Sequence, residues 1–296
     1  MDRSILVTGA SGFVGLHLTR ALLQEGYRVV ALDANPRVVL PLGVDLIQAD
    51  LSNPDSLAPL AKEWWGVIHL AAVSVPSLFT TTAPVIKNLE MTLHLLEHLE
   101  SARTLLVSSC HVYAPSSTSR KETDPIEPQG RYGLSKYLCE QLMQHYGKKL
   151  DVRVARPFNH IGAGMPRNLM IPSMIRRVLE RPAGDASPIV MTGNNSVRDF
   201  VDVRDVAAGY LEILRLNEPD SRIYNVCTGR PTSIQQVVET TLELTGSRCF
   251  VEFTSQSVSA DDIPYIVGDP SKLTQESGWK AEFSLEQSLK SLLLNS

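Results

Sequence analysis

Short apolar runs alternate with stripes of apolar residues at helical spacing along most of the chain. The run Ser4 to Val7 leads into Phe13, Val14, Leu18, Leu22 and Leu23, which recur at the spacing of one helix face. A second run, Arg28 to Leu32, ends in Asp33. The pattern then predicts a strand at Asp45 to Ala49, a helix from about Pro54 to Glu63 and a strand at Gly66 to Ala72. A long helix from about Pro84 to Glu100 and a strand at Thr104 to Ser109 follow. Such alternation implies right-handed βαβ crossovers, and hence a parallel sheet covered on both faces. The expected fold class is α/β, a Rossmann-type doubly wound sheet.

The second half has the same ingredients in shorter pieces. Helical patterns run from Val203 to Leu216 and from Ile234 to Leu244, the latter opened by a Ser233-x-x-Gln236 capping box. Ser284-x-x-Gln287 repeats the device, and Asp269-Pro270 places proline where a helix can begin. Short strands are expected at Ile189 to Met191 and Cys249 to Phe253. These make a smaller C-terminal α/β lobe that closes a cleft, with the loops Gly162 to Asn168 and Ala183 to Ser187 as its movable edges.

A chain of 296 residues has room for one large α/β domain with a lobe. Lys+Arg 28 against Asp+Glu 32 gives a net charge of -4 without a basic stripe, so no nucleic-acid surface is expected. No apolar stretch approaches the roughly 18 residues needed to span a bilayer, and Met1-Asp2-Arg3 leads directly into the first strand. The expectation is a cytoplasmic protein with no membrane partner. Cys110, Cys139, Cys227 and Cys249 are far apart and lack clustered histidines, so neither a disulfide framework nor a metal site is indicated.

The chemistry begins at Thr8-Gly9-Ala10-Ser11-Gly12-Phe13-Val14-Gly15, between the first strand and the first helix. A strand that turns into a helix on three glycines points backbone N–H groups outward at the positive end of the helix dipole, with no side chain in the way of a diphosphate. Asp33 lies 18 residues beyond Gly15, where a carboxylate can accept hydrogen bonds from the adenosine ribose. In a parallel sheet, ligands bind beyond the carboxyl ends of the strands. Asp50, His69-Leu70-Ala71-Ala72 and Ser108-Ser109 all fall there. His69 reads as a buried, hydrogen-bonded strand-end residue, since imidazole chemistry would want a carboxylate partner. Tyr132 and Lys136 stand one turn apart on the next helix. An ammonium beside a phenol favours its anion, which would bring the tyrosine nearer neutral pH as an acid or base.

In this order, the glycine turn, the strand-end acids, Ser109 in Val107-Ser108-Ser109-Cys110-His111-Val112-Tyr113 and the Tyr132/Lys136 pair resemble the extended short-chain dehydrogenase/reductase family of nucleotide-sugar enzymes. The resemblance covers nearly the whole chain. It implies catalytic roles for Ser109, Tyr132 and Lys136, and a nicotinamide cofactor, NAD(H) preferred and NADP(H) possible. The cofactor would be bound by Gly9, Gly12, Phe13, Val14, Asp33, Asp50, Leu51, Leu70, Ala71, Ala72 and Asn88 together with Tyr132 and Lys136. It also implies a division into residues 1–166, with about 189–227 added, as the cofactor domain and 167–296 as mainly the substrate lobe.

Arg156-Pro157-Phe158-Asn159-His160-Ile161-Gly162, Val197 to Asp205, Tyr224-Asn225-Val226-Cys227 and Gly278-Trp279-Lys280 are similar to segments of GDP-4-keto-6-deoxy-D-mannose reductases. That similarity implies a nucleotide-sugar substrate, GDP-linked by preference, bound by Ser74, Ser109, Cys110, His111, Asn159, His160 and Arg198, and a homodimer paired through two long helices. An arginine suits a diphosphate because its planar fork offers paired hydrogen bonds; a surface ion pair with Asp199 or Asp202 is the alternative for Arg198. Ala163 and Met165 stand where that family has Pro and Gln, and Ala114 where it has Gly. Four activities remain open: reduction of a 4-keto sugar, 4-epimerisation, 4,6-dehydration and cofactor sensing without catalysis. The family's dehydratases carry an acidic pair where this chain has Cys110 and His111, and a sensor has no use for the Tyr-Lys pair.

Overall fold

The computed structural model describes residues 3–36, 38–61, 63–100, 102–182, 184–192, 196–217, 222–254 and 263–294. Its strands are β1 (Ser4–Thr8), β2 (Arg28–Asp33), β3 (Val44–Gln48), β4 (Gly66–His69), β5 (Arg103–Val107), β6 (Asp151–Pro157) and β7 (Asn159–Ile161) in the first part of the chain. There follow β8 (Pro188–Thr192), β9 (Val197–Arg198), β10 (Phe200–Asp202), β11 (Ile223–Val226), β12 (Thr232–Ser233), β13 (Phe250–Thr254) and β14 (Tyr265–Ile266). The helices are α1 (Phe13–Gln24), α2 (Ala83–His98), α3 (Gly130–Tyr146), α4 (Met170–Leu179), α5 (Val203–Arg215), α6 (Ile234–Thr245), α7 (Ser271–Ser277) and α8 (Leu285–Leu293).

Seven parallel strands form one sheet in the order β11-β6-β5-β4-β1-β2-β3. The order reverses between β1 and β4, which opens a crevice beyond their carboxyl ends. Alternation along each strand explains the layers. Ile5 and Val7 face one side and pack with Leu18 and Leu22 of α1 and Tyr210 and Leu214 of α5. Leu6, between them, faces the other side with Met91, Leu95 and Leu96 of α2 and Cys139 and Met143 of α3. Each such fully buried aliphatic side chain contributes about 1.5–3 kcal/mol of hydrophobic stabilisation. This is the doubly wound arrangement that the strand-helix alternation implies.

The lobe has its own core, in which α4, α6 and α8 cover the β8–β13 pair. Both capping boxes form: the Ser233 and Ser284 hydroxyls accept from the amides of Gln236 and Gln287, whose side chains reach back. Of the stretch 189–227, α5 and β11 lie against or within the large sheet, whereas β8 pairs with β13 in the lobe.

Three local expectations differ from what is found. In place of a helix from Pro54 there are two single 3-10 turns, Pro54–Ser56 and Ala58–Leu60, because Pro59 removes a backbone donor. The helix at Asp269-Pro270 starts one residue later, at Ser271, with Pro270 as its cap. The pattern does not predict helix α4, although Ile171, Met174, Ile175 and Val178 lie on one buried face. Among the described residues no helix is long and apolar enough to cross a membrane, and the four cysteines are buried and unpaired with one another.

Candidate active site

The β1–α1 turn is shaped by backbone crowding. Gly9 sits at φ +66, and a side chain there would stand 2.8 Å from the Ala71 amide nitrogen. At Gly15 a Cβ would lie 2.6 Å from the carbonyl oxygens of Gly9 and Ala10, so only glycine lets α1 close on the turn. Gly12 caps α1 without a side-chain hydrogen bond, and the first helical turn carries no acid. Its outward amides and dipole therefore suit an anion. Phe13 and Val14, half-buried, flank this opening.

Asp33 is fastened to the same turn: its Oδ2 accepts from the Ser11 amide (3.2 Å) and hydroxyl (2.6 Å), and its Oδ1 from the Asn35 amide (3.1 Å). Asp33 and the glycine turn are thus one hydrogen-bonded unit. Arg37, whose proximity in sequence would soften any preference against a 2'-phosphate, lies outside the described residues. Asp50 accepts from the amide and hydroxyl of Ser52, which hold its carboxyl below the usual range. Leu51 is buried beside it. Past β4, the Leu70 and Ala71 amides donate to the Thr8 carbonyl and hydroxyl, and Ala72 continues along the crevice. Asn88 clasps the backbone of Val73 through both ends of its amide and donates to Ser135. Ser74, one residue on, is exposed.

His69 is structural. Its two ring nitrogens meet the hydroxyls of Thr8 (2.8 Å) and Thr92 (3.2 Å), and burial with the nearby Lys136 charge lowers its pKa to about 3. A neutral imidazole is the only form this environment accommodates.

Ser109 follows β5, is 5% exposed, and accepts from the His111 amide at 3.2 Å. Tyr132, from α3, has its ring edge-on between Phe79 and His111, each 5.5 Å away. Lys136, buried, donates from Nζ to the Val107 carbonyl at 2.9 Å. The structure corrects one expectation here. The phenol is not drawn toward neutral pH by the ammonium: burial pushes Tyr132 up to about 12, with a hydrogen bond to Ser109 opposing. Burial lowers Lys136 in turn. Both ionised forms lose hydration, and neither charge counts among the main influences on the other. Cys110 is also pushed up to about 12, mainly by burial, so it is no thiolate.

Asn159 and His160 form β7, which steps off the end of β6 and pairs with β10. Asn159 Oδ1 and His160 Nδ1 are buried polar atoms without a hydrogen-bond partner among the described residues. Burial keeps His160 neutral, with a pKa of about 4. An unsatisfied acceptor such as Asn159 Oδ1 costs about 1–3 kcal/mol when buried, while at the His160 ring the Phe158 backbone opposes the effect of burial. Arg198 donates to the Val197 carbonyl, and its charge acts on Cys110. Its neighbouring acids are engaged elsewhere: Asp199 accepts from Thr228, Gly229 and Gly268, and Asp202 pairs with Arg204 and Ser288.

Some contributors carried no signal in the sequence. Phe79 follows a single 3-10 turn, Pro76–Leu78, and Thr8 and Ser135 are small polar residues whose partners lie 47 to 63 positions away. His17 Nε2 meets the Ala163 carbonyl at 2.8 Å and so ties the loop after β7 to α1.

A family model described as "NAD dependent epimerase/dehydratase family" matches residues 5–227. GDP-6-deoxy-D-mannose reductase of Pseudomonas aeruginosa is 33% identical, with 99% of this chain and 97% of that protein covered. GDP-6-deoxy-D-talose 4-dehydrogenase of Aggregatibacter actinomycetemcomitans is 29% identical over 98% of each. The solved structure of RMD from Pseudomonas aeruginosa complexed with NADPH superposes with a TM-score of 0.82 at 30% identity, covering 99% of both chains.

Proposed function

Because the chain belongs to the NAD dependent epimerase/dehydratase family, we propose that it reduces the 4-keto group of a nucleotide-linked 4-keto-6-deoxyhexose. The favoured nucleotide is GDP, since two relatives over nearly the full length act on GDP-6-deoxyhexoses. The cofactor domain spans 1–166 with α5 and β11, the lobe supplies most of the substrate side, and the enzyme works in the cytoplasm as a homodimer paired through α2 and α3.

One observation carries the direction of the reaction: a relative covered nearly end to end at 33% identity is a GDP-6-deoxy-D-mannose reductase. Reduction of a ketone needs a proton donor at the oxygen that becomes an alkoxide, and Tyr132 is protonated at neutral pH. When bound, the reduced nicotinamide dinucleotide supplies the hydride that the carbonyl carbon receives. Tyr132 gives its proton to the oxygen, and Ser109 hydrogen-bonds that oxygen. Lys136, anchored on Val107, offers its remaining N–H donors to the cofactor ribose. Asn159, His160 and Arg198 face the sugar diphosphate, with Ser74, Cys110 and His111 completing the pocket wall.

Dehydration needs one group to remove a proton at C5 while another protonates the oxygen leaving C6. Cys110, buried and unionised, is a poor substitute for either, which leaves epimerisation as the competing activity. The test is to incubate the enzyme, with the nucleotide it retains, with GDP-mannose and with UDP-glucose, and to follow the sugars by NMR. No interconversion of the intact sugars is expected. Catalytic turnover to the C4 epimer without net cofactor consumption would replace the proposal with an epimerase.

A further inference from the structure

Behind its reactive face, α3 grips the end of β5 a second time. Tyr132, Lys136 and Glu140 are spaced by four and share one side of the helix. Lys136 holds the Val107 carbonyl, and one turn further Glu140 Oε1 accepts from the Ser108 hydroxyl at 2.5 Å. The Ser108 amide is fixed from the opposite side by the Ala155 carbonyl at 2.8 Å. Ser109 is the next residue. Glu140 is fully buried, and its charge is met by a two-pronged contact from Arg156: Nε to Oε1 at 3.0 Å and Nη2 to Oε2 at 2.7 Å. The Arg156 guanidinium in turn lies 4.8 Å over the Tyr113 ring, whose hydroxyl donates to Asn225 at 2.7 Å. A carboxylate buried so completely is tolerable only beside such a cation, and once paired it is a stiff, strong acceptor at a fixed place.

We infer that Glu140, held by Arg156, is a positioning residue that sets the Ser109 hydroxyl relative to Tyr132, acting through Ser108. The inference rests on the reading of Ser109 and Tyr132 as the reacting groups. In the proposed function none of Ser108, Glu140 and Arg156 touches the substrate or cofactor. The Glu140 charge also raises the Lys136 pKa, whereas Ser108→Ala keeps that charge and so loosens the grip on the strand end alone. Displacements of about 1 Å in a reacting group cost on the order of 100-fold in rate. An ion pair that merely stabilises the core would lower the melting temperature and leave the turnover of folded enzyme unchanged.

The experiment measures kcat and KM with GDP-4-keto-6-deoxymannose for Ser108→Ala, Glu140→Gln, Ser109→Ala and the Ser108→Ala/Ser109→Ala double variant, with melting temperatures alongside. Ser108→Ala should lower kcat on the order of 10- to 100-fold with KM unchanged, and Glu140→Gln should lower kcat as well. Should Glu140→Gln fail to fold, Ser108→Ala reads the same contact from its other end. In the Ser109→Ala background the added Ser108→Ala change should have no further effect, since there is no hydroxyl left to position. Multiplying effects, or a wild-type kcat for Ser108→Ala, would overturn the inference while leaving the proposed function standing. A wild-type kcat for Ser109→Ala would remove the site reading and the inference together.

Discussion

At the scale of single residues, what matters is which groups are charged, and burial decides that more than proximity does. Sequence placed Ser109, Tyr132 and Lys136 at a strand end and on one helix face, but not the direction in which their protons are held. That direction depends on Phe79 and His111 closing over the phenol, contacts that spacing along the chain does not reveal. Since Tyr132 is raised and Lys136 lowered, the first proton lost on the alkaline side is the lysine's. In the proposed function the cationic form holds the ribose, so kcat/KM should be full at neutral pH and fall as pH rises through the depressed lysine pKa. Lys136→Arg should move that limb upward, because a guanidinium stays charged; an unmoved limb would place it on another group. Asp33 gives a second expectation. With Ser11 holding its carboxylate beside the cradle, a 2'-phosphate meets a fixed negative charge. NADH should be preferred, and Asp33→Ala should shift kcat/KM toward NADPH by about tenfold or more, an electrostatic difference of roughly 1.4 kcal/mol. A wild-type enzyme that already favours NADPH strongly, as the NADPH complex of the Pseudomonas structure invites one to check, would exclude this role for Asp33.

Among elements, long periodic ones were legible and short or interrupted ones were not. The β1–α1 unit, α2, α5, α6 and the central strands lie within a few residues of where the pattern puts them, because continuous burial on one face writes a period into the sequence; α3 has no such period, and only the Tyr132 and Lys136 spacing marks it. The apolar spacing after Pro54 comes with Pro59 and does not make a helix, and α4 carries Pro172 near its start, which hides its period in the sequence. Helices α2 and α3 pack against each other over the sheet and leave Ile86 (51%) and Leu134 (42%) exposed. Those side chains are expected to be covered by a second copy across a twofold axis. Light scattering should give a dimer at micromolar concentration, and Ile86→Glu with Leu134→Glu a folded monomer. A wild type that is monomeric under these conditions would rule the pairing out.

For the whole molecule, pairings across long stretches of chain were the least accessible from sequence. The β8–β13 ladder and the β11–β6 contact join segments 62 and 69 residues apart at their first paired positions, and nothing local specifies them. The same long-range burial makes the fold sensitive to acid. His69 and His160 have pKa values lowered from 6.5 to about 3 and about 4. The unfolded chain therefore takes up protons that the folded one refuses. Their stabilising effect is complete above about pH 6.5 and is lost as pH falls through 6.5 toward 4, at about 1.4 kcal/mol per unit for each histidine. Asp199 and Asp205, raised by burial, work in the opposite sense. Comparing wild type with His69→Gln isolates the histidine: the variant's stability should fall less steeply between pH 6.5 and 5, and equal slopes would contradict the assignment.

The claim on which the rest depends is that a loaded Tyr132 protonates the product of ketone reduction. It is tested by following NADH and NADPH oxidation with GDP-4-keto-6-deoxymannose, wild type against Tyr132→Phe, and counting cofactor consumed per sugar reduced. One cofactor oxidised per 6-deoxyhexose formed is expected, with kcat lower by about 100- to 10,000-fold in Tyr132→Phe and cofactor affinity little changed. No cofactor oxidation by the wild type, or a Tyr132→Phe enzyme that turns over at the wild-type rate, would contradict it.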